Sequence, residues 1–464
     1  MTGPFRSPEP PSRRTFLART GAVTLAAVPA TGFLAACAQP TELTATGSGG
    51  QNTDAFTTAD IDWRAEQGTT LTLGALQHPW ITAIRPHLGQ FQRLTGINVR
   101  IQVSGEEQYV AKMPITLAGD SGTPDVYMVW SYGQAAESGW LEPLDPYLAD
   151  PGLTDLSWYD QKDIFASARD YVRRPDGTSL GTAITAEAQV TFYRGDVVTS
   201  PESLTTFDGL HEAARKAAKS GKTPAGIALR GKPTADAVAW PAAGYVFSYG
   251  GYLIDPDGAL ALDSPQAVAG VQKYADIVRD ACPKGVSTWS WLEITTAMQQ
   301  GQVAMLQDSS NASSDLRNKE KSRYPDLIRA AAFPSHNGVS KPNIFHWIMG
   351  INRRSKQKRA AWLFLQWATS RPGAAQIAAS GGTPPRISAW QDPRFREAFG
   401  ADAADAALHT LRRADSRPVT LAWMNPQWPA VGDAFARAVN SVFTSGQSAQ
   451  SALAEARRTL KGVL

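Results

Sequence analysis

The sequence predicts an α/β fold built as lobes around largely parallel sheets. Strand-like and helix-like segments alternate over most of the 464 residues, the chain is long enough for two domains, and its last third is mostly helical. Thr70–Leu76 is a short β-rich run. Trp80–Leu94 carries Ile81, Ile84, Leu88 and Phe91 at helical spacing, Ile97–Val103 alternates as a strand, and Asp125–Trp130 reads as a buried strand. The alternation continues with Gln189–Tyr193 as strand, His211–Ser220 as helix, Ala225–Leu229 as strand and Pro265–Cys282 as helix. Lys356–Thr369 and Gly432–Phe443 are the clearest helices of the C-terminal third.

The first 37 residues read as an address. Ser12-Arg13-Arg14-Thr15-Phe16-Leu17 is a twin-arginine pattern, followed by the weakly apolar stretch Thr20–Ala36 and by Leu34-Ala35-Ala36-Cys37. Paired arginines before a modest apolar region mark export of a folded protein, and a small-small-Cys ending resembles the lipobox of bacterial lipoproteins. Residues 1–37 are therefore expected to be a lipoprotein signal, with Cys37 the lipidated residue. The location expected is extracytoplasmic, anchored to the cell membrane by acylated Cys37. Residues 38–67, rich in Thr, Ser, Gly and Ala, are expected to be a flexible linker.

The formal charge of +3 belongs to that signal: without residues 1–36, 41 bases and 41 acids remain. A neutral body with no clustered basic face argues against a nucleic-acid partner. Cys282 is the only other cysteine, so acylation of Cys37 leaves no disulfide. No second apolar run approaches the roughly 20 residues a membrane span needs, so contact with the membrane is expected through the anchor only.

Catalytic and metal patterns are sparse. There is no GxxxxGK[ST], HExxH or GxSxG, and the six histidines are scattered. Ser355-Lys356-Gln357-Lys358 matches SxxK without its companion motifs and reads as a helix start. Asp255-Pro256-Asp257-Gly258 reads as a turn rather than a calcium loop, which needs a Glu where Gln266 stands. No cofactor and no metal are expected. Tryptophan is abundant, at 14 residues. A Trp at a strand or helix end offers a flat apolar face that suits the C–H-rich face of a sugar. Trp130, Trp240, Trp347 and Trp428 border such ends, whereas Trp362 and Trp367 read as core.

Several separated segments, in order, resemble one family. Phe91–Val99 is similar to its "F-x-x-x-T-G-I-x-V", and Pro124-Asp125-Val126 with Gly139–Asp145 to its "P-D-V…G-x-L-x-P-L-D". Gln300–Met305 resembles "G-x-x-A-M". Ile348–Ser355 with Ala360–Trp367 resembles a strand and helix of the family, and Gly381–Arg386 its "G-x-x-P-x-R" turn. The body thus resembles the extracellular solute-binding proteins of ABC sugar importers, the group that includes maltose-binding protein.

The resemblance implies a two-lobed, type II periplasmic-binding-protein-like fold, with an N-terminal lobe of 68–186 plus 349–391 and a C-terminal lobe of 187–348 plus 392–464. Crossing hinge strands are implied near Thr185–Val190 and Phe345–Gly350, with a third crossing near Gln391. It implies a receptor that captures a sugar, oligosaccharide or polyol between the lobes and, as a monomer, delivers it to the ABC permease membrane subunits. By position it implicates Gln77 and His78 after the first strand, Trp130 and Ser131 after the Asp-Val strand, and Glu187 on the first crossing. It also implicates Trp240 and Tyr249 on a cleft wall, Asp308 and Ser309 after Ala304-Met305-Leu306-Gln307, Trp347 on the second crossing and Arg386 on the turn. Trp428 joins them on its position at a helix end. Two other classes remain open. An exported glycoside hydrolase would use Glu187 and Asp308 as its two carboxylates, and a surface lipoprotein without a transport role would leave the cleft unused.

Overall fold

The computed structural model describes residues 41–43 and 53–463. The expected signal and Cys37 lie outside them. Among the described residues eleven strands form two sheets. They are β1 (Thr41–Leu43), β2 (Thr70–Leu76), β3 (Asn98–Ser104), β4 (Val126–Val129), β5 (Thr182–Ala183) and β6 (Glu187–Arg194). There follow β7 (Ala225–Ala228), β8 (Val303–Ser309), β9 (Ile328–Ala332), β10 (Ile344–Phe345) and β11 (Ile348–Ile351).

The first sheet has the order β1-β3-β2-β4-β11-β5, and the second β10-β6-β8-β7, with β9 pairing β6. The chain passes from the first to the second between β5 and β6 and returns between β10 and β11. Both passages fall where crossing strands are expected. Near Gln391 there is no strand. The short helix Ile387–Gln391 is followed by Pro393–Phe399 and then by Ala401–Arg413, which packs on β6 and β9.

The sheets are mixed rather than largely parallel. β2 runs parallel to β3 and β4, and β7 parallel to β8, as strand-helix-strand units require. The strands next to the crossings run the other way: β11 is antiparallel to β4 and β5, and β6 to β8, β9 and β10. A strand that enters a sheet from the opposite lobe has no crossover helix to reverse it.

β4 is buried throughout, as its apolar run predicts for a strand covered on both faces, and β6 is buried at all eight residues although Glu187, Gln189, Thr191 and Arg194 are polar. Pro86 interrupts the expected helix Trp80–Leu94, which forms as Pro79–Ile84, a short 3₁₀ turn and Leu88–Thr95, ending at left-handed Gly96 (φ 72°). In the second lobe the helix Ala239–Ser248 lies against β6 so closely that a Cβ on Gly244 would overlap the Gln189 amide. That amide donates to the Pro241 carbonyl and accepts from the Asn343 N–H, tying helix and crossing together.

The expected linker is folded from residue 53 onward. Asp54–Thr57 is helical, Phe56 and Trp63 are buried, and their rings meet edge to face at 6.4 Å, with Trp158 and Trp367 against them. Two aromatic side chains bury enough apolar surface to override a polar composition. Among the described residues no helix is long and apolar enough to cross a membrane.

Candidate functional site

A cleft lined from both lobes lies between the two sheets. Its walls are built at the carboxyl ends of the parallel strands, where an α/β sheet leaves its loops free to carry ligands. From the first lobe come Gln77, His78 and Pro79 after β2, Glu106 after β3 and Trp130 after β4. From the second come Arg230, Asp236 and Trp240 after β7, Ser309 and Asn311 at the end of β8, Trp291 at a helix start, and Glu187 at the start of β6. Phe345 and Trp347 come from the second crossing.

The floor is a hydrogen-bonded set around Glu187, which is 5% exposed. Its carboxylate accepts from Thr185 Oγ1 at 3.0 Å and from Ser309 Oγ at 2.7 Å. His78 caps the helix Pro79–Ile84, its Nδ1 accepting from the Trp80 N–H at 3.0 Å. An accepting Nδ1 leaves the ring proton on Nε2, which lies 3.3 Å from Glu187 Oε1 and 3.3 Å from Asn311 Nδ2. His78 belongs to the first lobe, Glu187 and Asn311 to the second, so the two lobes meet at the floor.

One side is aromatic. The Trp347 ring lies 5.1 Å from Phe345, 6.0 Å from Trp130 and 5.5 Å from His78, and Trp130 lies 6.2 Å from Phe345. The opposite side holds Arg230 against the rings of Trp240 (5.4 Å) and Trp291 (5.8 Å). Its Nε and Nη2 donate to the two oxygens of Asp308 at 2.8 and 2.6 Å, and Nη1 donates to the Asp236 carbonyl at 3.1 Å. Burial opposes the guanidinium's charge; the Asp308 carboxylate beside it outweighs that and moves it upward. Burial also pushes Glu106 up to about 7; Arg230 pulls it down, and Asp236, Glu187 and Asp308 push it further up.

The cleft therefore gathers Gln77, His78, Trp130, Glu187, Trp240, Ser309 and Trp347 of the residues singled out in the sequence. Asp308 is fully buried behind Arg230, with both carboxylate oxygens taken, so it orients Arg230 and is no second carboxylate for a hydrolase pair. Ser131 is buried behind Trp130, beside a small apolar cavity of its own. Tyr249 stacks on His336 at 3.7 Å, away from the cleft. Arg386 is completely buried and donates to the carbonyls of Thr369, Asp160 and Tyr159. Trp428 is fully buried and stacks on Trp423 at 4.1 Å, because the helix Trp428–Thr444 begins inside the C-terminal helical layer.

Sequence reasoning missed Glu106, Arg230, Asp236, Trp291, Asn311 and Phe345. Glu106 and Arg230 stand just past the ends of β3 and β7, and position at a strand's carboxyl end is the signal that finds them. Asp236 and Trp291 lie in longer connections and carry none.

Residues 74–375 match the family model described as bacterial extracellular solute-binding protein. The chain is 28% identical over 392 residues to an erythritol/L-threitol-binding protein of Mycolicibacterium smegmatis, covering 78% of each. It is 27% identical over 384 residues to a mannitol-binding protein of Pseudomonas aeruginosa, covering 76% of this chain and 84% of that one. Its fold is similar to that of an ABC transporter solute-binding protein from Agrobacterium radiobacter K84, solved in complex with ribitol. The TM-score is 0.77 at 24% identity, over 86% of this chain and 99% of that one. The fold is the two-lobed, type II arrangement, and members of this group bind solutes for transport. With the family model spanning well over half of its length, this chain belongs to the bacterial extracellular solute-binding protein family.

Proposed function

We propose that this chain is the receptor of an ABC importer for a polyol or small sugar, held at the outer face of the cell membrane by acylated Cys37. The observation that carries the ligand class is the composition of the cleft. An aromatic side of Trp130, Phe345 and Trp347 faces a side and floor bearing Glu106, Glu187, Asp236 and Ser309. Aromatic faces stack on C–H groups, and carboxylates and hydroxyls take the O–H groups that a polyol presents along its length. The names of the relatives, which bind erythritol, L-threitol and mannitol, support the same class. Crossings between the sheets at 183–187 and 345–348 suit a hinge that closes on the ligand.

Thermal unfolding of the full chain against erythritol, ribitol, D-mannitol and maltose tests this reading. A bound ligand at about 100 times its Kd adds roughly 2.7 kcal/mol. A stereoselective rise in Tm, with the ligand recovered unchanged, is expected; a flat panel overturns the ligand class, and consumption of the sugar points to a hydrolase. Cys37→Ser is expected to move the protein from the membrane fraction to the medium, and retention at the membrane would overturn the anchor.

A further inference from the structure

Two carboxylates face the cleft with no partner of their own. Glu106 opens the helix Glu106–Ala118 in the first lobe, and Asp236 follows β7 in the second, where only its backbone carbonyl is engaged. Among the described residues no hydrogen bond or ion pair reaches either carboxylate. Every neighbouring acid is matched: Glu187 by Thr185 and Ser309, Asp308 by Arg230, and Glu107 by Lys232, an ion pair that spans the two lobes. The indole N–H of Trp240, a residue 6% exposed, is likewise without an acceptor. Partly buried polar groups left open in this way are costly unless something else satisfies them. The open set is two acceptors from opposite lobes and one donor. A hydroxyl can serve both kinds, whereas an ammonium can only donate and a carboxylate ligand can only accept.

We propose that Glu106 and Asp236 are the gripping pair of this cleft, each accepting a hydroxyl of the same polyhydroxylated ligand, and that this bridge between the lobes is what permits them to close. The proposal rests on the reading of the cleft as a polyol or sugar site and adds the residues that make its closure depend on ligand. In the empty cleft, closing brings two carboxylates together in a poorly solvated space, where like charges repel strongly. Ligand hydroxyls placed between them relieve that repulsion, and so does a proton on Glu106. The charged groups that face Glu106 are Arg230, Asp236, Glu187 and Asp308, with His78 on the floor and the Glu107–Lys232 pair beside it. With the lobes as they stand, joined by the Glu107–Lys232 pair, burial, reinforced by the three acids against Arg230, puts Glu106 at about 7 against an ordinary 4.5. A form that opens the cleft and rehydrates Glu106 holds fewer protons between these values, so acidification across that window favours the closer form without any ligand.

The test reads the lobe angle of the full chain by small-angle scattering and tryptophan fluorescence from pH 8.5 to 5.5, first alone and then with erythritol, ribitol or D-mannitol. The ligand-free wild type is expected to close as pH falls, Glu106→Gln to be closed throughout with no pH dependence, and Asp236→Asn, which removes the like charge opposite Glu106, to close at higher pH than the wild type. Glu106→Ala and Asp236→Ala are each expected to lose at least tenfold in affinity for the polyol that binds. The proposal is overturned if ligand-free Glu106→Gln and Asp236→Asn both follow the wild-type pH curve, or if both alanine variants bind as tightly as wild type. If none of the three polyols binds the wild type, the ligand class of the proposed function fails, while the ligand-free titration still decides the gate.

Discussion

Arg230 and Arg386 are both buried guanidiniums at the ends of connecting segments, yet they do different work. Arg386 sends its donors to three backbone carbonyls and, at 3.5 Å, to Asp163, whose other contacts come from Ser388 and, at 3.3 Å, from Arg371. It pins the turn 159–163 beneath the helix Lys358–Thr369 and has nothing left to offer a ligand. Arg230 is just as fully bonded, but it stands in the cleft wall between two tryptophan rings and holds the segment that carries Asp236. Neither residue type nor burial separates a site residue from a structural one. The separation comes from whether the saturated group stands at a cavity that other, unsaturated groups also face.

The largest expected effect lies on the structural side of this comparison. Arg386→Ala takes the donors from three carbonyls and leaves Asp163 to Arg371 and Ser388 alone, which costs about 1–3 kcal/mol for each group left unsatisfied. Urea unfolding is expected to show this loss, and Arg386→Lys is expected to recover little, because an ammonium lacks the planar fork that reaches all four acceptors. A variant as stable as wild type would show that the cluster around Asp163 does not hold the turn.

The next effect divides the tryptophans. Trp347→Ala and Trp130→Ala are each expected to weaken polyol binding by roughly 1–3 kcal/mol while leaving most of the stability intact. Trp428→Ala is expected to do the reverse, costing about 3–5 kcal/mol of stability through a core cavity with affinity preserved. Isothermal titration and urea unfolding of the same three proteins check both halves. A loss of affinity in Trp428→Ala alone would place the site elsewhere.

How much of this was legible in the sequence follows from the range of the interactions involved. The strand 70–76 and the helices 265–281 and 358–369 are written in local periodicity, and the structure has them within a residue or two. The helix Glu106–Ala118 is not: Pro114 lies inside it, and Ile115 stays exposed beside polar neighbours, so no apolar stripe announces it. Residues 53–67 looked like a tether because the partners of Phe56 and Trp63 lie about 100 and 300 residues away, at Trp158 and Trp367. The site shows the same limit. Glu187 and Trp347 were found because they stand on the crossings, whereas Arg386 was misplaced because its saturation depends on carbonyls more than 200 residues distant in sequence.

The smallest expected effect sets a buried crossing residue against a cleft residue through pH. His346, between β10 and β11, is 1% exposed; its Nδ1 lies 2.9 Å from the Thr185 carbonyl and its Nε2 lies 3.2 Å from Ser167 Oγ. Burial pushes the imidazole down to about 4, although Thr185 and Glu187 act in the other direction. The unfolded chain, with an ordinary value near 6.5, then binds the extra proton, so this contribution is whole above pH 6.5 and is lost as pH falls towards 4. Glu106 has the opposite sign. Its raised value makes the folded chain the better proton acceptor, so between about 7 and 4.5 acidification adds stability. Each contribution is on the order of 1–3 kcal/mol, and over the shared window they oppose one another. Urea midpoints at pH 7.0, 5.5 and 4.5 are expected to fall more steeply in Glu106→Gln than in wild type, and less steeply in His346→Asn. Identical slopes in wild type and Glu106→Gln would mean that Glu106 keeps an ordinary carboxyl in the folded chain, and would remove the acid-driven closing that depends on it.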